Sequence, residues 1–111
     1  MLAKQYRLSR NVDIKRVITR GKTRIYKDLF LLKWILNNKS NNRVVIIVSQ
    51  KVSKKAVERN RIRRVLINAL KKDDMQGKRS YDIAVIVRKG ALYSEDKARE
   101  QFLEFLNTIK T

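Results

Sequence analysis

Residues 51–70 read KVSKKAVERNRIRRVLINAL, and two patterns overlap in them. Ile62, Val65, Leu66, Ala69 and Leu70 recur at i, i+3, i+4, i+7 and i+8, an apolar stripe that predicts a helix from near Ala56 to about Lys72. Asn60, Arg61, Arg64, Asn68 and Lys71 fall on the opposite arc of the helical wheel. Seven cations and one anion crowd residues 51–64. The helix macrodipole makes positive charge slightly unfavourable at a helix start, so helix stability does not explain this placement. Arginine replaces lysine along the stretch, at Arg59, Arg61, Arg63 and Arg64, and its planar fork suits bidentate contact with phosphate. The preceding loop adds Lys51, Lys54, Lys55 and unpaired backbone N–H groups beside the helix start. A solvated helix end would account for charge alone; polyanion binding accounts for its kind and position.

Working outward, the runs LFLLKWIL (residues 29–36) and RVVIIVS (43–49) are rich in strand-forming residues and are joined by NNKSNN. Asparagine tolerates the positive φ of a tight connection, so the pair is expected to form a hairpin. Residues 23–26 add a short strand. Past the basic helix, a turn rich in Asp, Gly and Lys leads to DIAVIV (82–87), a buried strand. Upstream, Ile14, Val17 and Ile18 predict a helix over residues 11–20, with Asn11 as its cap and Gly21 at its C′ position. The last helix is expected to start at Ser94, and Ala98, Phe102, Phe105, Leu106 and Ile109 form the stripe that closes the core. The order α-β-β-α-β-α describes an α/β sandwich with helices packed on one small sheet. The strand–helix–strand unit of residues 43–87 would ordinarily be a right-handed crossover if its strands are parallel neighbours.

Composition bounds the chemistry. The 111 residues carry 28 Lys+Arg against 10 Asp+Glu, a formal charge of +18, and 43% of them are apolar, enough for one folded core. The positive balance lies in residues 1–93; residues 94–111 are close to neutral. No Cys and no His are present, which excludes disulfides, Cys/His metal sites, thiol nucleophiles and imidazole bases. No apolar run approaches a membrane span, and the first residues, MLAKQYRLSR, lack the apolar core of a signal peptide, so a cytoplasmic location is expected. The adjacent carboxylates Asp73–Asp74 and Glu95–Asp96 sit in a turn and at a helix start, and the six serines have no histidine to activate them. An independent nuclease is the weakest reading, and catalytic and metal-ligating residues are both expected to be none. The aromatics Tyr26, Phe30, Trp34 and Tyr81 lie on or near the sheet, as core residues or as stacking surfaces for single-stranded RNA. Composition alone separates neither RNA from DNA nor a processing factor from a small ribosomal or other structural RNA-binding protein.

The segment KVSKKAVERNRIRRVLINAL, with Arg59-Asn60-Arg61 at its core, resembles the signature of the bacterial ribonuclease P protein subunit family. RLSRNVDIKRVITRGK resembles that family's opening helix and DIAVIVRKGA its last strand and following loop, so the likeness covers nearly the whole chain. The resemblance implies one RNA-binding domain over residues 1–111, an α-β-β-β-α-β-α sandwich around a small mixed sheet with a left-handed β-α-β crossover, as in ribosomal-protein-like folds. It implies a protein that binds a catalytic RNA subunit, one protein per RNA, and the 5′ leader of precursor tRNA. The RNA performs the hydrolysis with Mg²⁺ at its own active site, and the protein binds no cofactor itself. By position, Lys51, Lys54, Lys55, Arg59, Asn60, Arg61, Arg63 and Arg64 match the RNA-facing basic block, and Arg88 and Lys89 a second basic spot. The leader cleft lies between the first helix and the sheet. The two helix positions where the family commonly carries aromatics are Ile14 and Ile18 here, so Phe30 or Trp34 is expected to substitute, or charge and shape do the holding.

Overall fold

The computed structural model describes residues 2–110 and orders them as α1 (Asn11–Arg20), β1 (Lys22–Tyr26), β2 (Phe30–Leu36), β3 (Arg43–Ile47), α2 (Ala56–Ala69), β4 (Tyr81–Val87) and α3 (Glu95–Lys110). Short 3-10 turns lie at Lys4–Tyr6, Lys72–Met75 and Lys89–Leu92. With β1 present, the order is α-β-β-β-α-β-α, around a mixed four-stranded sheet.

The strand order is β1-β2-β4-β3, with β4 antiparallel to β2 and parallel to β3. The hairpin expected from residues 29–36 and 43–49 does not form, because β4 lies between its two arms. Asn38 does take a positive φ of 57°, but NNKSNN is a bridge across the start of β4 rather than a tight turn. Its side chains bond to the intervening strand: Asn37 Nδ2 donates to Asp82 Oδ1 at 2.9 Å, and the Tyr81 amide donates to Asn42 Oδ1 at 2.8 Å.

Alternation along the strands gives the sheet two apolar faces. Phe30, Leu32, Val44, Ile46, Ile83, Val85 and Val87 meet Ile62 and Leu66 of α2 and Phe102, Phe105 and Leu106 of α3 in the main core. Fully burying a side chain of this size contributes roughly 1.5–3 kcal/mol. On the other face Val17 of α1 packs with Leu8 and Ala84, all buried, and Ile14, Ile35, Val45 and Ile47 surround them.

The parallel neighbours β3 and β4 are joined through α2, and the sense of that passage follows from one hydrogen bond. Val44 points its side chain to the α2–α3 face, while its carbonyl accepts the Leu8 amide on the outer edge of β3 at 3.0 Å. For an L-residue, this places β4 to the left when β3 is viewed running upward from the side of α2. The crossover is therefore left-handed, against the usual preference. A right-handed passage would need the opposite face, which α1 covers.

Helix ends depart from expectation in instructive ways. Asn11 is the first helical residue, and Arg10 takes the cap position without a side-chain hydrogen bond. Gly21 has φ −72°, not the left-handed conformation of a C′ glycine. It is needed for close approach: an added Cβ would lie 2.5 Å from Val17 O and 3.0 Å from Trp34 O. The basic helix stops at Ala69, and Asp74 Oδ2 accepts the Lys71 amide at 2.8 Å to close the next turn.

Among the described residues one charge is fully buried. Asp82 accepts from Arg43 Nε at 2.8 Å and Nη2 at 2.7 Å, besides Asn37, and Asp13 stands 3.6 Å from the same guanidinium. The Asp82 hydrogen bond raises the Arg43 pKa above its ordinary value. These bonds tie β3, β4 and the 37–42 bridge together at one end of the sheet.

Candidate nucleic-acid interface

The parallel strands β3 and β4 finish at the end of the sheet where β2 begins. Residues 48–55, Arg88–Lys89 and Lys27 therefore emerge together, at the opposite end from the Arg43–Asp82 pair. Lys51, Lys54 and Lys89 line one depression with Gln50, Ser53 and Tyr93, so the loop of the basic block and Lys89 of the second basic spot form a single surface. Arg88 does not line that depression and is partly used by the fold, donating to Lys27 O at 3.1 Å.

Ser53 shapes the loop. Its hydroxyl donates to Glu58 Oε1 at 2.5 Å and accepts the Lys55 amide at 3.1 Å, which satisfies groups at the unpaired start of α2. Arg59 Nη1 donates to Ser53 O at 2.9 Å from the following turn. Arg63 donates to Asn60 Oδ1 at 2.7 Å and to Ile46 O of β3 at 3.4 Å, and Arg61 pairs with Glu95 of α3 at 2.7 Å. The eight residues of the block thus divide. Arg59, Asn60 and Arg63 brace the helix and its loop, and Arg61 ties α2 to α3 while remaining half exposed. The side chains of Lys51, Lys54, Lys55, Arg64 and Lys89 are exposed and make no hydrogen bond or ion pair among the described residues. A shallow groove lined by Asn60, Arg63, Arg64, Ile67 and Asn68 continues along α2.

On the α1 face, Ile14 packs into the small cluster beneath the helix, and Ile18 is half-buried. Beyond α1, one register row crosses all four strands: Ile25, Leu31, Ile86 and Ile47 are paired in turn. Ile25 is 59% exposed and the other three are half-buried, so this aliphatic floor is open beside the helix. Neither expected aromatic substitute reaches it. Phe30 is fully buried on the opposite face, 6.4 Å from the Phe102 ring, and Trp34 packs edge-on against Phe105 at 4.9 Å. Even-numbered residues of β2 face α3, which is why an aromatic at 30 or 34 serves the core.

Two features escaped the sequence pattern. The aliphatic row depends on a strand order that local periodicity does not reveal. Tyr93, 77% exposed beside the lysines, belonged to no apolar stripe, and that exclusion was its only signal. Three of the four adjacent carboxylates have structural partners: Asp74 closes a turn, Glu95 meets Arg61 and Asp96 meets Arg99 at 3.0 Å. Among the described residues no three His, Cys, Asp or Glu side chains are grouped to hold a metal ion, and no helix is long and apolar enough to cross a membrane.

Comparison with known proteins follows the same lines. The ribonuclease P family profile matches residues 2–110. A ribonuclease P protein component from Clostridium kluyveri is 35% identical over 107 residues, covering 95% of this chain and 88% of its own. The ribonuclease P protein of Staphylococcus aureus superposes with a TM-score of 0.76 at 27% identity, covering 94% of each chain. That of Thermotoga maritima gives a TM-score of 0.76 at 25% identity over 95% of this chain and 98% of the other.

Proposed function

The chain belongs to the ribonuclease P protein family, and from that premise we propose how its surface serves the enzyme. It acts as the protein subunit of ribonuclease P, binding the enzyme's RNA and precursor tRNA in the removal of 5′ leaders. The observation that carries the mechanism is the cluster of exposed cations without partners among the described residues, on a chain that has no histidine or cysteine. Such a surface neutralises phosphates and releases counterions, and it offers no general base or thiol nucleophile.

In this reading Lys51, Lys54, Lys55, Arg64 and Lys89 contact RNA backbone, with Arg61 at the margin of that surface. Arg59, Asn60 and Arg63 hold the helix and loop in register for it. The groove between α1 and the row Ile25–Leu31–Ile86–Ile47 takes the leader by apolar contact and shape, since no aromatic lines that floor. Bond cleavage belongs to the RNA, with Mg²⁺ bound there, and the protein alone is inactive. One protein serves one RNA, in the cytoplasm.

The test is cleavage of precursor tRNA at low Mg²⁺ by the catalytic RNA, with and without the protein. A gain in rate or substrate affinity on adding protein is expected, and none without RNA. No gain would remove the reading, and cleavage by the protein alone would reassign the chemistry to it.

A further inference from the structure

We propose that Tyr93 is a stacking platform for one unpaired RNA base, a role that rests on the RNA-binding reading above and adds a contact the basic block does not supply. Among the eight aromatic side chains, Tyr93 alone is exposed. Tyr6, Phe30, Phe102 and Phe105 are buried, and Tyr26, Trp34 and Tyr81 are half-buried, packed against the main core. An exposed ring on a connector gains nothing from the core, yet this one stands at the wall shared by two depressions. Lys51, Lys54 and Lys89 line one of them, and Arg61 and Lys97 line the other.

Carboxylates share those rims, Glu58 at the first and Glu95 and Asp96 at the second, where Asp96 is 93% exposed. Glu58 takes the Ser53 hydroxyl, Glu95 takes Arg61 and Asp96 takes Arg99. On the side of Lys51, Lys54 and Lys89 the ring therefore offers a π surface flanked by cations, the combination that holds unpaired nucleotides by stacking on the base and attraction to the phosphates beside it.

The platform is held in advance. The Tyr93 amide donates to Gly90 O at 3.1 Å, the Ala91 amide to Arg88 O at 3.1 Å, and the Gly90 amide to Asp28 O at 3.0 Å. Gly90 lies so close to Asp28 that an added Cβ would meet its carboxylate at 2.3 Å, which seats the turn against the β1–β2 connection. On the following side, the Arg61–Glu95 ion pair anchors the first turn of α3 two residues from the ring. A ring on a fixed backbone loses little conformational freedom when a base settles on it.

The base belongs either to the catalytic RNA or to the precursor, and the experiment separates them. Tyr93→Ala and Tyr93→Phe are compared with the unaltered protein in two titrations, one against the catalytic RNA alone and one of precursor tRNA against the reconstituted holoenzyme. Tyr93→Ala is expected to weaken at least one of them by about 5- to 150-fold, whereas Tyr93→Phe retains full affinity. The titration that responds identifies the RNA that supplies the base. The salt dependence of the Tyr93→Ala protein stays as steep as before, because no cation is lost. Unchanged affinity of Tyr93→Ala in both titrations overturns the proposal, as does an equal loss in Tyr93→Phe, which would assign the effect to the hydroxyl. The triple variant Lys51→Ala/Lys54→Ala/Lys89→Ala is measured alongside. If it flattens the salt dependence while Tyr93→Ala binds normally, stacking alone is refuted; if neither variant responds, the RNA-facing assignment of this surface falls as well.

Discussion

The two ends of the sheet treat positive charge in opposite ways. Where β4 begins, Arg43 is spent on a fully buried carboxylate, with Asn37 and Asp13 completing the arrangement. Where β4 finishes, Lys51, Lys54, Lys55 and Lys89 stand exposed without partners, and Arg64 continues the pattern along α2. Charge is paired where it fixes the topology and left unpaired where its partner comes from outside. The folded state tolerates the resulting self-repulsion because the basic segment is anchored in the main core, to which it contributes Val52, Ile62 and Leu66.

The contrast is broken most severely at the paired end. Asp82→Ala leaves Arg43 and Asn37 facing an empty buried site and is expected to cost about 3–5 kcal/mol in urea or thermal unfolding. A loss under about 1 kcal/mol would show that the pair is not what holds that end together. At the unpaired end, five phosphate contacts imply that affinity for the catalytic RNA falls about 100- to 500-fold between 50 and 200 mM salt. Replacing Lys51, Lys54, Lys55, Arg64 and Lys89 by alanine should remove most of that dependence without lowering the melting temperature. A salt slope that survived the five substitutions would place the RNA elsewhere. Gly21→Ala tests an uncharged site at the same end of the sheet as the buried pair: the contact with Val17 O should cost about 1–3 kcal/mol of stability.

Arg61 sharpens the comparison because it belongs to both regimes, paired with Glu95 yet 49% exposed. Arg61→Ala should cost under about 1 kcal/mol in stability, as half-exposed pairs do, and lower the salt slope by about 0.7–0.9. A large loss of stability with an unchanged slope would make it purely structural.

How much of this was legible in the chain depends on whether a signal was local. The span of α1, the apolar stripe of α3 and the polar arc of α2 follow from helical spacing, and each is where the spacing put it except Lys71, which lies past the end of α2. The partition of the basic block was not legible, because KVSKKAVERNRIRR gives no hint that Arg59 turns back to Ser53 or that Arg63 reaches Ile46. Nor was the asparagine bridge: NNKSNN has the composition of a turn, and only the insertion of β4 between its flanking strands makes it a crossing. Phe30 and Trp34 show the same limit. Their residue type suits stacking on RNA, but which face they occupy is set by register, and register is decided by residues fifty positions away.

One of the two interior strands of the sheet, β4, is also the last one in sequence. During synthesis β2 and β3 must wait for residues 81–87, and at about 5–20 residues per second the forty residues from Val48 to Val87 take roughly 2–8 s to add. Throughout that interval two strands have open edges that are meant for the same absent neighbour. A nascent chain of this design faces its greatest aggregation hazard just as its basic helix leaves the ribosome.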